Sequence, residues 1–354
     1  MKLKTLIRPL LLVAATVSSA AFAQTAAPTA PAVQKAVIDR ALLNVFKALP
    51  ARFEDAKNPI TPEKVELGRM LYFENRLSKN HDISCNSCHD LNKYGVDGKA
   101  FSPGHKKQLG GRNSPTVYNA GGHHLQFWDG RAPNLEEQAK GPILNPVEMA
   151  MPNEARVIET LKSIPGYVTA FQKAFPGQED AVTYDNLGKA IGAFERQLVT
   201  PSRFDKYLAG DEKALTDAEK VGLSKFLEQG CQTCHYGPAI GGSLQKLGLV
   251  VPFQSKDQGR FEHTKNAADR MLFRVPTLRN VAKTAPYFHD GSVKDLQTAV
   301  KLMAQHQFGK QLSDADAKHI ITFLDSLTGE LPKSYIARPK LPSSGPKTPK
   351  PDPS

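Results

Sequence analysis

Apolar positions recur every three to four residues in several stretches of the chain, bounded by residues that start or stop helices. Thr61-Pro62, an N-cap followed by a first-turn proline, opens a pattern that predicts a helix through Leu71. Thr216 and Glu219 form a capping-box pair ahead of "VGLSKFLEQ". Ser313 caps "DADAKHIITFLDSL", and Gly329 is expected to stop that helix. Little of the chain alternates with period two, so strands should be few and short. The expected class is mainly α, with long ordered loops between the helices.

The two ends carry other patterns. "MKLKTLIRPLLLVAATVSSAAFAQ" begins with Lys2, Lys4 and Arg8, continues as an apolar run and ends in Ala21-Phe22-Ala23. It reads as a secretory signal over residues 1–23, and Pro9 and the A-x-A ending favour cleavage over a membrane anchor. Residues 24–48 form an N-terminal linker and helix that starts with the Ala/Pro-rich "QTAAPTAPAVQ". Residues 336–354, with "PKLPSSGPKTPKPDPS", are expected to be a disordered Pro/Lys-rich tail. Between the two, no segment is long and apolar enough to span a bilayer. The expected location is the periplasm.

Composition narrows the partners. The 354 residues include 46 Lys and Arg against 35 Asp and Glu, a formal net charge of +11. Removing the signal takes away three basic residues and no acidic ones, leaving +8. The positive charges are scattered and no nucleic-acid-binding motif is present, so nucleic acid is not an expected partner. An acidic protein or an anionic surface suits a basic exported chain better.

All four cysteines fall in two strings, "SCNSCHD" with Cys85, Cys88 and His89, and "GCQTCHY" with Cys231, Cys234 and His235. A bare C-x-x-C fits a redox disulfide or half a zinc site. The histidine directly after it, twice, points to c-type haem attachment: two thioethers to the vinyl groups and an axial nitrogen for iron. Two covalently bound c-type haems are therefore expected.

The chain also repeats itself. "RNSPTVYNA…FWDG" follows the first string and "RVPTLRNVA…FHDG" the second. Pro115 to Asp129 and Pro276 to Asp290 both span 14 residues, and Leu135 and Leu296 keep the same offset of 161. The pattern predicts two cytochrome domains from an internal duplication, residues 49–199 and 200–335, meeting near Thr200-Pro201. It makes Trp128, the one tryptophan, and His289 equivalent.

A haem iron with one histidine has a second axial position to close or leave open. Met303 follows His289 by 14 residues on "VKDLQTAVKLMAQ", while the first half has Pro142 at that offset. Met303 is either a core side chain or the second ligand of a closed, high-potential haem. The first half instead offers His105 in the glycine-rich loop "VDGKAFSPGHKKQLGGRN", either an exposed loop residue or a displaceable ligand. His123 and His124 are its rivals.

From about Leu42 to Leu331 the chain resembles the bacterial di-haem cytochrome c peroxidases, through "SCNSCH", "SPGH", "GGRNSPTVYNA", "FWDGRA", "NPVEM", "CQTCH", "FRVPTLRNVAKTAPYFHDGS" and "AVKLMAQHQFG". The resemblance implies a low-potential peroxidatic first haem with proximal His89 and displaceable distal His105. It implies a high-potential, electron-receiving second haem held by His235 and Met303. It makes Trp128 the inter-haem ring, and Glu148 and Gln138 the active-site pair. It further implies a calcium ion between the halves on the Asn113 side chain and the Thr284 and Pro286 carbonyls. The partners implied are hydrogen peroxide, a small c-type cytochrome or cupredoxin as electron donor, and a second copy of the chain in a homodimer.

The chemistry is coherent with those groups. Peroxide must lose a proton from one oxygen and gain one on the leaving oxygen, work for a carboxylate whose pKa lies near working pH. Two haems match a two-electron cleavage to a one-electron donor. Two other readings stand beside it: a di-haem electron carrier with both irons closed, and the related enzymes that oxidise a partner protein during cofactor maturation. In the latter a tyrosine replaces the methionine, and Tyr287 is nearby.

Overall fold

The computed structural model describes residues 36–354 and Met1; the expected signal and the start of the linker lie outside the described residues. In chain order the helices are α1 (Pro62–Tyr72), α2 (Cys85–Cys88), α3 (Leu135–Leu144), α4 (Glu154–Lys162), α5 (Pro165–Ala174), α6 (Tyr184–Glu195), α7 (Arg203–Leu208), α8 (Asp217–Glu228), α9 (Phe261–Thr264), α10 (Leu296–Phe308) and α11 (Asp314–Asp325). Two three-residue strands, β1 (Leu244–Lys246) and β2 (Leu272–Arg274), pair antiparallel with Leu244 opposite Arg274. The rest is 3-10 turns and loops. The fold is mainly helical, with few and short strands as the pattern predicts.

The helix starts are where the caps place them. Thr61 Oγ1 accepts from Lys64 N, with Pro62 and Glu63 in the first turn of α1. The Thr216–Glu219 box opens α8 in both directions. Ser313 caps α11, but the helix ends at Asp325, before Gly329. Gly329 serves packing instead, because a side chain there would run into the Thr200 main chain.

Two helix crossings position everything else. α1 lies against α6, where Gly68 meets the carbonyl of Ala190 and the side chain of Phe194. α8 lies against α11, where Gly222 meets the carbonyl of His319 and the side chain of Phe323. In each case only a glycine lets the backbones approach that closely. One core gathers Leu67, Leu71, Ile143, Leu161, Phe171 and Leu187 from α1 and α3–α6. A second gathers Phe204, Leu223, Phe226, Ile320, Phe323 and Leu324 from α7, α8 and α11. Each fully buried Leu or Phe contributes about 1.5–3 kcal/mol, so these two clusters dominate the stability. Leu43 and Phe46 are buried in the second cluster, so the strip before residue 49 is anchored there.

Thr200 joins the two systems. It is fully buried, and its hydroxyl oxygen accepts from both Asn119 Nδ2 and Asn280 Nδ2 at 2.9 Å. Asn119 Oδ1 in turn accepts from Thr200 N, and Asn280 Oδ1 from Gly329 N, each at 3.0 Å. Both asparagines hold positive φ (59° and 62°), a conformation that asparagine tolerates better than most residues.

The segment 336–354 corrects the expectation of a disordered tail. It has no helix or strand beyond turns, yet it runs bonded along the face of α5 and the residues after α1. Ile336 is buried beside Tyr72 and Phe73. Arg76 donates to Pro342 O at 2.8 Å and to Ser344 Oγ at 2.9 Å. Ser163 Oγ bonds Thr348 Oγ1 at 2.9 Å, and Asp352 N donates to Lys79 O at 2.9 Å. Composition suggests a free chain; a row of donors and one main-chain acceptor on the first half supply the partners that the prolines cannot supply to one another.

Candidate functional site: two cysteine–histidine centres

α2 is a single turn that presents Cys85 and Cys88, closed by the reciprocal Ser84–Ser87 cap. His89 follows as its C-cap residue, and His89 Nδ1 lies 2.9 Å from Pro115 O. A carbonyl only accepts, so Nδ1 carries the proton and Nε2 keeps its lone pair for a metal. Tyr72 Oη donates to His89 O at 2.7 Å and steadies the same turn. In the second centre a 3-10 turn carries Cys231 and Cys234, and His235 Nδ1 lies 3.4 Å from Ile240 O. Burial holds both imidazoles below the usual histidine range, His235 at about 4, so both rings are neutral ligands at neutral pH. Burial raises the Cys88 thiol to about 11 and the Cys231 thiol to about 12.

A largely apolar cavity in the second half is lined by Cys231, Cys234, His235, Met303, Trp128 and Phe273. Met303 comes from α10 and packs on the Trp128–Leu247–Phe273 cluster. The same cavity tests the fit of a haem. Arg274 is buried in its wall; Nε donates to Phe127 O at 3.1 Å, while Nη1 has no partner. Burial lowers this guanidinium to about 10, and an unpaired buried cation is costly. A haem propionate is the anion that an apolar cavity with one orphan guanidinium awaits. The residues fit.

Trp128 connects the halves. Its Nε1 donates to Asn113 O at 2.8 Å, and its carbonyl accepts from Arg274 N at 2.7 Å. The His289 ring lies edge-on at 6.5 Å and is itself stacked on Phe273. Asn113, Thr284 and Pro286, the expected calcium ligands, are all among the residues that line this cavity. Asn113 Nδ2 donates to Lys99 O at 2.8 Å, which leaves its amide oxygen for a cation.

Glu148 and His105 are brought together by backbone. His105 N donates to Glu148 O at 2.8 Å, and Gly104 packs on the Val147–Glu148 main chain, leaving no room for a side chain. Burial pushes the Glu148 carboxyl above the usual range, against the pull of Arg131 and Asn145. Gln138 is half-buried on α3, the helix that leads into the 145–149 turn, with no side-chain hydrogen bond among the described residues. His105 itself is buried, not an exposed loop residue. Its rivals lie elsewhere: His123 lines the second cavity, near Arg274, and His124 is exposed.

Sequence reasoning missed the arginines. Arg112 bonds Asp129 at 2.7 Å and Asp257 at 2.6 Å, Arg131 bonds Asp129 at 2.8 Å, and Arg131 lies 3.5 Å over the Phe127 ring. Together they pin the "FWDGRA" loop that carries Trp128. The acid and base flanking a lone tryptophan were the available signal.

A family model described as di-haem cytochrome c peroxidase matches residues 62–213. The chain is 47% identical over 315 residues to the cytochrome c551 peroxidase of Pseudomonas aeruginosa, covering 87% of this chain and 90% of that one. It is 46% identical over 301 residues to the cytochrome c551 peroxidase of Nitrosomonas europaea, covering 83% and 89%. Among solved structures, a MauG-like protein associated with microbial copper homeostasis superposes with a TM-score of 0.71 at 27% identity, over 87% of this chain and 98% of that one. With a turn-borne cysteine pair and histidine at each of two centres, and identity of this extent, the chain belongs to the di-haem cytochrome c peroxidase family and is a peroxidase.

Proposed function

We propose that this protein reduces hydrogen peroxide at its first centre with electrons received at its second. The observation that carries this is the asymmetry of the two centres: His235 shares its cavity with Met303, whereas in the first half the buried His105 is bonded through its main chain to Glu148, a half-buried residue whose carboxyl pKa is raised by desolvation. Cys85/Cys88 and Cys231/Cys234 would hold the two haems, which would supply an iron centre and the electrons for peroxide cleavage.

The chain's own groups do the rest. Glu148 takes a proton from one peroxide oxygen and returns it to the other, and burial, by raising its pKa, favours the return step. Gln138 orients peroxide with a neutral amide that cannot itself titrate. His105 closes the peroxide position in the fully oxidised protein and leaves it, by movement of the glycine-rich loop, once the second haem has been reduced. Trp128 lies between the centres as the connecting ring, held by Asn113. A calcium ion on Asn113, Thr284 and Pro286 ties that ring's support to the second half. Residues 49–199 and 200–335 act as the two domains, derived from one duplicated unit.

The donor is a small redox protein, a c-type cytochrome or a cupredoxin; the name of the two relatives, cytochrome c551 peroxidase, favours the former. No helix among the described residues is long and apolar enough to cross a membrane, which agrees with a periplasmic enzyme released from its signal. A homodimer is the expected assembly. Tyr287 also lines the second cavity, but its hydroxyl already bonds Val281 O at 3.2 Å, so Met303 is the better ligand and protein oxidation the weaker reading.

The deciding experiment mixes the calcium-loaded protein with peroxide in a stopped flow, once fully oxidised and once with only the high-potential haem reduced. A fast reaction confined to the half-reduced sample is expected. Equal speed in both would remove the gate, and silence in both would make the protein an electron carrier.

A further inference from the structure

The 336–354 segment ends at a functional atom. His105 Nε2 lies 3.2 Å from the Ser354 main-chain oxygen, and Lys79 Nζ donates to that same oxygen at 2.8 Å. A main-chain oxygen only accepts, so Nε2 carries a proton in this arrangement and has no lone pair to offer iron. Lys79 is itself fixed to the active-site turn, since Lys79 N donates to Met149 O at 2.8 Å. Lys79, Ser354, His105 and Glu148 therefore form one continuous strip. Upstream, the segment is held by Arg76 at Pro342 and Ser344, by Ser163 at Thr348, and by Asp352 at Lys79.

We propose that residues 343–354 form a catch that receives the displaced His105 and holds it off the first iron, so that the segment is a positioning element for peroxide access. The proposal rests on the reading of His105 as the displaceable ligand of the first haem. The ring has two competing partners, iron and the Ser354 oxygen, and the occupied one decides whether the peroxide position is open. The loop permits the exchange, because His105 opens a single 3-10 turn, His105–Lys107, in which Lys106 and Lys107 already hold left-handed φ of 55° and 60°. The catch lowers the fraction of oxidised protein in which His105 closes the site.

The test uses the holoenzyme, full-length and lacking residues 343–354, each with and without His105→Gly. Low-temperature EPR and the visible spectrum give the low-spin, histidine-ligated fraction of the first haem in the fully oxidised state. A stopped flow gives its rate with peroxide. Losing the catch should shift the open-to-closed ratio toward closed by about fivefold, the worth of one hydrogen bond, and slow the oxidised-state reaction in proportion. In the His105→Gly background the truncation should change neither readout. Lys79→Ala, which keeps the Arg76 and Ser163 anchors of the segment, should shift the ratio in the same direction by a smaller factor.

Unchanged spectra on truncation, with His105→Gly still converting the first haem to high spin, would overturn the catch while leaving His105 as the ligand. If His105→Gly alters neither spectrum nor rate in the full-length protein, the ligand reading fails and the catch fails with it.

Discussion

The two centres share a scaffold and differ at a few positions. Pro115 and Pro276 face the two haem histidines. Thr116 and Thr277 donate to Tyr94 O and Ala239 O, and Asn119 and Asn280 bond the same Thr200 hydroxyl. Phe127 and Phe288 both hold positive φ, 64° and 68°. On this frame Trp128 stands where the second half has His289, and Pro142 where it has Met303. Aligning the crossings at Gly68 and Gly222 places buried Glu195 opposite buried Leu324. What is shared builds the proximal side, where a neutral imidazole must be presented. What differs lies on the distal side and in the surrounding dielectric, where, on the proposed function, one centre would react and the other would only pass electrons.

The largest effect expected is at the reactive centre. Glu148→Gln removes the proton shuttle but keeps the size and an amide, so kcat should fall by about 10²–10⁴-fold. Electron uptake at the second haem should be unchanged. The pH profile sharpens the test: activity of the native enzyme should fall as pH drops through the Glu148 pKa, which burial has raised, because the base is then protonated. The variant should lose that limb. A variant with native turnover would remove Glu148 from the chemistry and with it the main difference between the centres.

Next comes the point the two halves share. Thr200→Ala leaves the buried Asn119 and Asn280 amides without their common acceptor, at a cost of about 2–4 kcal/mol for the two donors. Guanidinium unfolding followed at both haem bands should show both halves weakened together. Loss confined to one haem would mean that Thr200 does not couple them.

Much of this frame is legible in the sequence itself. Attachment strings, offsets of 161 residues and helix caps are local, periodic signals, and the cores and centres follow them. The arginines are only partly legible: Asp129 and Arg131 flank Trp128 two residues apart, whereas Arg112 and Arg274 find Asp257 and Phe127 at separations of 145 and 147 residues, and nothing local marks those pairings. The tail misleads for a related reason. Proline-rich composition reports what a segment cannot bond within itself, while Arg76, Ser163 and Lys79 sit far away in sequence. Gly329 has the local look of a helix stop, when its role is to make room for Thr200.

At the second centre, Met303→Leu keeps the packing against Trp128 and Phe273 and removes the sulfur. If Met303 ligates, the potential of the second haem should fall by on the order of 0.1 V, within the roughly 0.8 V range that axial ligands span. A spectroelectrochemical titration reads it directly. An unmoved potential would return Met303 to the core, and the two centres would then be distinguished by Trp128 and His105 alone.

The last comparison tests the dielectric difference. Glu195 is 4% exposed and Oε2 has no hydrogen-bond partner. Burial raises its pKa to about 8, with Glu136 adding to the rise and Arg196 opposing it. Arg196 is already committed to Glu136 and Asp55, Tyr72 donates to His89 O, and Tyr335 donates to Phe194 O. The folded protein thus keeps a proton that the unfolded chain loses near pH 4.5. Between about pH 4.5 and 8 the folded state binds more protons, so stability should fall as pH rises, by about 1.4 kcal/mol per unit. Glu195→Leu copies the residue of the second half and should remove that part of the slope, which denaturant unfolding at a series of pH values will show as the difference between two curves. Parallel curves would mean that the carboxyl is matched by a partner in the haem-loaded protein, and the halves would then be alike in dielectric after all.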